Sequence, residues 1–276
     1  MSIAIGLVIG LILGLTGAGG SIFAVPLLIL LLDLPINDAI GIALGAVAAS
    51  AVIGTVSNYH AKHILWLPAL LLSFGGALAA PAGKYFGAQL PPTFLLVGFC
   101  LLAFIIAGIM WRQAITSPER SNVVRSGYLT EDDLIQPICR FSPKDQFDTS
   151  PKCIAALISC GLVVGLLSGL FGVGGGFLIV PALLYITQVS IHQAVGTSLL
   201  IICVIGGSGF ISFAASNHLV DWILLSQVCA GGLLGMLAGR LIAEKIAGTH
   251  LQRLFALGLV AIALLTLTHK LGNGVT

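Results

Sequence analysis

Long apolar stretches separated by short polar links make up most of the chain. Several of them exceed the ~18 uncharged residues that are typical of a membrane-spanning helix. The stretches cover residues 2–32, 39–57, 64–83, 93–111, 153–187, 194–214, 222–239 and 251–268. Their length and uniform apolarity predict an all-α polytopic membrane protein with about eight hydrophobic segments.

The first stretch is too long for a single helix perpendicular to the bilayer, and glycine interrupts it at positions 14, 17, 19 and 20. Glycine inside a helix costs roughly 0.5–1 kcal/mol relative to alanine, so this density of glycine opposes a continuous helix. We therefore predict two half-helices, about 2–13 and 21–32, joined by irregular backbone.

The glycine-rich segment occurs twice. Residues 14–21 read Gly-Leu-Thr-Gly-Ala-Gly-Gly-Ser, residues 169–176 read Gly-Leu-Phe-Gly-Val-Gly-Gly-Gly, and a proline follows each at the same spacing. The two copies are 155 residues apart, and 13 of the 23 positions from 6 to 28 are identical to their counterparts. This predicts two homologous transmembrane repeats, 1–111 and 153–276, connected by a hydrophilic loop at 112–152.

The distribution of Lys and Arg bears on the orientation of the repeats, because cytoplasmic loops carry an excess of both. If each broken stretch crosses the membrane fully, the repeats are parallel and the basic residues divide 8 to 4 between the two sides. If each broken stretch turns back, the repeats are inverted and the division is 10 to 2. The count favours inverted repeats with the loop 112–152 in the cytoplasm and both termini opposite.

Composition excludes a soluble protein. The chain is 58% hydrophobic and 8% charged, whereas soluble domains carry about 25% charged residues. We expect a multi-pass protein of the plasma (inner) membrane whose solvent is the lipid bilayer, with no nucleic-acid partner. The six cysteines have no metal-like spacing and lie mostly in apolar runs, where cysteine is a small hydrophobe. No nucleophile–base pair or metal cluster is recognisable, so we predict no enzyme, no cofactor and no metal.

Candidate chemistry is concentrated at the two glycine-rich breaks. Backbone N–H and C=O groups freed there cannot be satisfied by lipid, so the breaks must face protein or a wet cavity. The half-helix that follows each break points N–H groups and partial positive charge at that cavity, which suits a small anion. The alternative interpretation is that these glycines only permit tight helix packing. The candidate substrate-binding residues are Thr16, Gly17, Gly19, Gly20, Ser21, Gly172, Gly174, Gly175, Gly176, Thr197 and Ser198.

Other polar side chains within the apolar runs offer a weaker signal, because Ser and Thr in membrane helices usually bond their own backbone. No acid or base lies at the centre of a span, although proton relays and sodium sites usually need an intramembrane carboxylate. Lys84 and Arg240 lie at span ends, where their side chains are expected to reach the interface. The further polar candidates are Ser50, Thr55, Ser57, Asn58, Ser208, Ser212 and Asn217.

The two glycine motifs, followed by Val25-Pro26 and Val180-Pro181, resemble the signatures of the TauE/SafE family of membrane permeases. The segments Ala-Val-Gly-Thr-Ser-Leu at 194–199 and Leu-Ala-Gly-Arg-Leu at 237–241 are similar as well. The resemblance covers nearly the whole chain apart from 112–152. It implies an inner-membrane exporter of sulfite, sulfonates or related sulfur oxyanions. The first copy departs from the pattern at Ile42-Ala43, where the second copy has Thr197-Ser198.

The leading hypothesis is a secondary transporter of a small sulfur-containing or organic anion that works by alternating access around the two breaks. H⁺ or Na⁺ is a candidate coupling ion, and a homo-oligomer is compatible with the sequence. Two alternatives remain open at this point. One is a passive anion channel, and the other is an assembly or signalling subunit that docks partners through 112–152.

Overall fold

The computed structural model describes residues 1–17, 20–60, 64–116, 150–187, 191–216 and 221–243, together with 257, 258, 260, 261 and 265. Within these residues the regular secondary structure is entirely α-helical. The helices are α1 (Ser2–Thr16), α2 (Ser21–Leu32), α3 (Ile36–His60), α4 (Trp66–Gln89), α5 (Pro92–Thr116), α6 (Pro151–Phe171), α7 (Gly176–Thr187), α8 (Ile191–Ser216) and α9 (Trp222–Ala243). The sequence stretch 251–268 lies largely outside the described residues.

Five helices, α3, α4, α6, α8 and α9, have apolar spans of 21 to 24 residues that are long enough to cross a membrane. Their outward faces are apolar as well. On α4, Leu70, Phe74 and Leu78 recur every fourth residue and are 62%, 63% and 61% exposed. A contiguous exposed stripe of this kind is costly in water but is solvated by lipid acyl chains. The protein is therefore a multi-pass membrane protein, as the composition predicts.

Helix bounds in the two halves follow the 155-residue offset of the sequence. Helices α1 and α6 end at Thr16 and Phe171, and α2 and α7 cover Ser21–Leu32 and Gly176–Thr187. The predicted end of the first half-helix at residue 13 is wrong, because Gly14 is helical. Gly14 stays in the helix because its missing side chain lets α1 approach α9 closely.

Helix α1 packs along α9 through a glycine stripe. Gly6, Gly10 and Gly14 meet Val228, Gly232 and Met236 in turn, and a Cβ atom at any of the three would overlap the backbone of α9. This is the small-residue packing that brings helix backbones into van der Waals contact in membranes. Both residue series increase together, so α1 and α9 run in the same direction.

The same arrangement joins α6 to α4. Gly161, Gly165 and Gly169 meet Leu72, Gly76 and Ala80, again with backbone atoms where a Cβ would lie. The series increase together, so α4 and α6 are parallel to each other.

Helices α3 and α8 lie between these two pairs and pack against each other in opposite directions. Leu44 contacts Gly206 and Gly209, whereas Gly54, further along α3, contacts Leu199, earlier in α8. Helix α3 runs parallel to α9, because Gly45 meets Leu225 and Gly54 meets Met236. Helix α8 runs parallel to α4, with Ile205 against Gly76 and Ser208 Oγ donating to the Ala77 carbonyl at 2.7 Å. Thus α1, α3 and α9 run one way, and α4, α6 and α8 run the other.

The expectation that the cysteines act as small hydrophobes needs one correction. Cys100, Cys160, Cys203 and Cys229, all on the helices, are not disulfide-bonded. Cys153, at the start of α6, is disulfide-bonded.

Candidate functional site

Both glycine breaks begin with a left-handed glycine cap. Helix α1 ends at Thr16, and Gly17, with φ of 70°, donates its N–H to the Leu13 carbonyl at 2.8 Å. Helix α6 ends at Phe171, and Gly172, with φ of 69°, donates its N–H to the Ser168 carbonyl at 2.8 Å. Glycine is the residue that adopts this conformation without a steric penalty. Both helices therefore end directly before the second glycine of the duplicated motif.

The chain reverses direction after each cap. In the first break, Gly20 returns to the side of Leu13, with the Leu13 Cα 2.5 Å from the position a Gly20 Cβ would take. In the second, the corresponding position at Gly175 lies 3.6 Å from the Ser168 Cβ. Each short helix therefore starts beside the last turns of the helix that precedes the break.

The second break, residues 172–175, has no regular secondary structure and runs along α3. Gly172 contacts Ile40, and Gly174 contacts Val47 of α3 and Ile202 of α8. Val47 is seven residues beyond Ile40, a separation that corresponds to a rise of ~10 Å along an α-helix. Gly172, Gly174 and Gly175 all have φ between 66° and 70°, a conformation that L side chains rarely adopt. The backbone thus climbs from one end of α3 toward its middle before α7 begins.

The first break makes the equivalent contact on α8. Gly17 lies against Val195, the position 155 residues beyond Ile40. Ser198 Oγ lies 3.3 Å from the Gly17 carbonyl and 2.8 Å from the Val195 carbonyl, and can donate to either. Ala18 and Gly19 lie outside the described residues, so the placement of Gly19 stays a prediction.

The two breaks meet in the interior of the bundle. The Cβ of Ser21, the first residue of α2, is 3.4 Å from the position that a Gly174 Cβ would occupy. Ser21 is completely buried, and Gly174, Gly175 and Gly176 are buried with it. The amino-terminal ends of α2 and α7 are therefore enclosed in the protein close to each other.

Unpaired backbone donors concentrate at the start of α7. Leu178 and Ile179 donate to the Gly175 carbonyl at 3.0 and 3.1 Å. Within the described part of the chain, no acceptor is in hydrogen-bonding geometry with the N–H groups of residues 173–176. The first turns of α2 and α7 contain no acidic residue. A helix amino terminus of this kind carries partial positive charge and favours an anion.

The predicted hydroxyl residues separate into two groups. Ser21 lies at the meeting point, and Ser198 contacts the carbonyl of Gly17. Thr197 Oγ1 instead accepts the Leu65 N–H at 3.0 Å, at the link between α3 and α4. Thr16 Oγ1 donates to the Ile12 carbonyl of its own helix at 2.8 Å. Of the four, Ser21 lies beside the second break and Ser198 lies beside the first.

Most of the weaker polar candidates bond to helix backbone. Ser50, Thr55 and Asn58 each donate to the carbonyl four residues earlier, at 2.8 Å. Hydrogen bonds of this kind to the preceding helical turn are common for such side chains in membrane helices. Asn217 lies outside the described residues.

Sequence reasoning missed Ser168, which is 1% exposed and whose Oγ has no hydrogen-bond partner among the described residues. It was overlooked because it lies inside a long apolar run. A signal was available in the comparison of the two copies, because the counterpart of Ser168 at the 155-residue offset is Leu13. A hydroxyl that replaces leucine one turn before a glycine break points to a polar role there.

Lys84 lies near the Ile40 end of the second break. Its Nζ is 3.5 Å from the Ser212 carbonyl and 5.1 Å from the centroid of the Phe213 ring. Phe213 packs against Gly41, the neighbour of Ile40. The ammonium group is therefore held over an aromatic face of α8, a favourable position for a cation.

A cavity beside this end of the break is lined entirely by apolar side chains. Its lining consists of Val25, Pro26, Ile29, Ile36, Ile40, Leu95, Leu96, Phe99 and Phe171. Since it offers no hydrogen-bond donor, it suits an anion less well than the buried helix termini do.

Membrane-crossing helices around two buried, glycine-broken segments define a membrane permease. Among the described residues, no group of His, Cys, Asp or Glu is arranged to hold a metal ion. The sequence profile of the sulfite exporter TauE/SafE family matches residues 2–266. The chain belongs to this family of membrane transporters.

Individual relatives agree with this assignment. A probable membrane transporter protein of Xylella fastidiosa strain 9a5c is 30% identical, over 96% of this chain and 93% of the relative. The probable membrane transporter proteins YdhB and YunE of Bacillus subtilis are 29% and 26% identical and cover 84% and 94% of this chain, respectively, with the same shares of their own lengths. No solved structure matches the chain.

Proposed function

We propose that the protein is a secondary transporter that exports small anions, most favourably sulfite, organosulfonates or related sulfur oxyanions, by alternating access around the two glycine breaks. The observation that carries the proposal is the contact between Ser21 and Gly174, which brings two helix amino termini together in the bundle interior. Each terminus contributes roughly half a positive charge. Together they attract an anion and repel a cation.

The family supports the substrate class. The family is that of the sulfite exporter TauE/SafE. Sulfite and sulfonates present three oxygen acceptors on a compact charged group, which matches a cluster of backbone N–H groups that lack acceptors. A carboxylate offers two oxygens and fits the same donors less fully.

The helix directions support inverted repeats. Helices at the 155-residue offset, α1 and α6, α3 and α8, and α4 and α9, run in opposite directions in each pair. Between α1 and α3, which run the same way, α2 must return. When the broken stretch turns back, each repeat crosses the membrane an odd number of times, so the two repeats have opposite orientations. Inverted repeats with a binding site at their interface are a common transporter design.

Two β-branched side chains are suited to act as gates. Ile40 packs on Gly172 and Val195 packs on Gly17, at opposite ends of the central contact. Movement of Ile40 would open the second break to one side of the membrane, and movement of Val195 would open the first break to the other. Alternating access then needs these two contacts to separate in turn.

Transport by the purified full chain in liposomes tests the proposal. We expect saturable flux of sulfite and methanesulfonate, with weaker flux of acetate and none of sodium or a cationic amine. A proton or sodium gradient should drive accumulation if one of these ions is coupled. Flux that never saturates and never exceeds the electrochemical gradient would establish the channel instead. Flux that persists after most of the loop 112–152 is deleted would exclude the docking-subunit alternative.

The side of the membrane requires a separate measurement. The 10 to 2 division of Lys and Arg favours a cytoplasmic loop 112–152 with both termini periplasmic. The disulfide of Cys153 argues for the opposite side, because disulfides persist in oxidising compartments. Cysteine labelling at Ser2, Ser126 and Thr276 in a background without native cysteines should modify positions 2 and 276 from one face and 126 from the other. Labelling of 2 and 126 from the same face would overturn the inverted arrangement.

A further inference from the structure

We propose that the hydroxyl of Ser168 is a direct ligand of the transported oxyanion, and that the anion is held by the second break rather than equally by both. This inference rests on the proposed function and specifies which half of the site binds. It assigns a role to a residue that neither the glycine motif nor the other hydroxyl candidates include.

The first argument is the cost of leaving Ser168 without a partner. A buried hydroxyl without a hydrogen bond costs about 1–3 kcal/mol. Serine in a membrane helix normally avoids this cost by donating to the carbonyl four residues earlier, as Ser50 does. Ser168 is 1% exposed and makes no such bond. Its Oγ can therefore donate a hydrogen bond to a bound anion.

The second argument is the position of Ser168 at the start of α7. Its Cβ is 3.6 Å from the position of a Gly175 Cβ, one residue before the helix begins. Helix α7 leads away from this point, so its unpaired N–H groups point back toward the last turn of α6. Gly174, Gly175 and Gly176 have no side chains of their own, and the nearest neighbouring side chains are Val47 beside Gly174 and Val164 beside Gly175. One buried hydroxyl and several backbone donors are thus close to one another in the bundle interior.

The third argument is that the first break lacks this combination. Its counterpart of Ser168 is Leu13, which offers no donor. Its Gly17 carbonyl lies within hydrogen-bonding distance of Ser198, whereas the counterpart of Ser198 on α3 is Ala43. The Gly17 carbonyl of the first break thus has a hydroxyl within reach across the repeats, whereas the Ser168 hydroxyl of the second break has no partner among the described residues.

This chemistry identifies the ligand as a compact oxyanion of charge −1 or −2 with at least three acceptor oxygens. One oxygen accepts from Ser168 Oγ, and others accept from the N–H groups of residues 173–176. Sulfite, sulfate and a sulfonate group all meet this description. Chloride meets the charge requirement, but it is a single atom and cannot place separate acceptor oxygens opposite separate donors.

The test compares two buried, unpartnered serines of the described chain, Ser168 in α6 and Ser73 in α4. Binding of methanesulfonate and of sulfate to the purified full chain is measured by calorimetry for Ser168→Ala and Ser73→Ala. We expect Ser168→Ala to weaken binding about tenfold or more, since hydrogen bonds to charged groups are strong. Ser73→Ala should stay within about twofold of the wild type. The KM for methanesulfonate transport should rise in parallel with the loss of affinity.

Two further measurements separate a ligand role from a structural one. Ser168→Thr and Ser168→Val have nearly the same shape, so a difference in affinity between them reports the hydroxyl even if the alanine variant folds poorly. Without anion, Ser168→Ala should have unchanged or higher thermal stability, because an unsatisfied polar group has been removed. With saturating methanesulfonate the wild type should gain more stability than the variant.

Each outcome decides the inference. Equal affinity of the wild type, Ser168→Ala and Ser168→Val, with binding still saturable, would overturn the role of Ser168 and leave the anion transporter intact. Absence of anion binding to the wild type would overturn both proposals. A tenfold loss confined to the variants without a hydroxyl at 168 would support both.

Discussion

The two glycine breaks share a backbone path but differ in how their polar groups are held. In the first, the carbonyl of Gly17 faces the Ser198 hydroxyl, and the side chain before the cap is Leu13. In the second, Gly172 has no serine opposite it on α3, and the side chain before the cap is Ser168 with an unpaired hydroxyl. Identical glycine spacing therefore does not make the two halves chemically equivalent.

The duplicated motif therefore determines the backbone geometry of each break, whereas the residues that flank the motif determine which polar groups can bind a ligand. Glycine in each break allows the left-handed caps and the close approach of α2 to the second break. Serine on one side and leucine on the other then decide which break offers donors to a guest. The predictions below test this division, beginning with the geometry that both breaks need.

The largest effect should come from a bulky side chain at the contact between the breaks. Gly174→Leu places a side chain at φ of 66° beside Val47 and Ser21, and a non-glycine residue in this conformation costs about 1–2 kcal/mol before any clash. We expect transport in liposomes to be abolished, and Gly19→Leu to behave in the same way.

A matched control for this substitution exists on α5. Among the described residues, no atom lies within 4 Å of the position of a Gly108 Cβ, and Gly108 is exposed on the outer surface of α5. Gly108→Leu should insert normally and keep near wild-type transport. Normal flux through Gly174→Leu would mean that the meeting point of the breaks is not on the transport path.

A smaller loss should follow from removing the hydroxyl at the start of α2. Ser21→Ala deletes an oxygen that lies beside Gly174, and we expect anion binding to weaken by about 0.5–1.5 kcal/mol, or up to ~3 if the hydroxyl contacts the charge directly. Calorimetry with methanesulfonate measures the change. Ser50→Ala, a buried serine bonded to its own helix, serves as the control. An unchanged affinity for Ser21→Ala would place binding in the second break alone.

The first break should respond to mutation in stability more than in binding. Ser198→Ala removes the hydroxyl facing the Gly17 carbonyl and leaves that acceptor buried, so we expect a loss of about 1 kcal/mol in unfolding free energy. Thermal unfolding in detergent reports this loss, and the anion affinity should change by less than about twofold. A loss of affinity larger than the loss of stability would show that the first break binds the anion too.

The reciprocal substitution sharpens the same comparison. Ala43→Ser introduces a hydroxyl at the position equivalent to Ser198, facing the Gly172 end of the second break. If fixing a break by a hydrogen bond limits its movement, this variant should bind anion normally but transport it more slowly. An equal or faster turnover would separate the hydrogen bond from the gating motion.

The smallest effect is expected at Lys84, because its ammonium group is half-buried over Phe213 and not at the central contact. Lys84→Gln should raise the KM for a divalent anion by roughly two- to threefold at low ionic strength and less at high salt, since screening weakens such steering. Lys152→Gln, at the exposed start of α6, is the control. A salt-independent change of KM would point to a direct contact with the substrate.

Some properties of this protein follow from the sequence because they are local. Hydropathy over ~20 residues decides that a segment lies in lipid, and five helices have the required length and composition. The glycine spacing located the ends of the helices to within three residues, because a left-handed cap depends on the residue at that position and on little else. The exception, Gly14, stayed helical since its packing on α9 is a tertiary contact.

The assignment of hydroxyl groups could not be obtained in the same way. Thr197 and Ser198 are neighbours in the chain, yet one faces the α3–α4 link and the other faces Gly17, 181 residues away in sequence. Ser168 looks like one more polar atom in an apolar run until its surroundings are known. Whether a side chain is satisfied depends on atoms brought in by other helices, and no local pattern encodes them.

The sequence by itself determined a helical membrane protein with two glycine-broken segments, because apolarity and glycine content act over a few residues. The tertiary structure alone decided that Ser21 meets Gly174 and that Ser168 has no hydrogen-bond partner among the described residues. The physical reason is that glycine permits a close approach without specifying its partner. The partner is selected by the packing of α1 on α9 and of α6 on α4, which sets the depth at which each break enters the bundle.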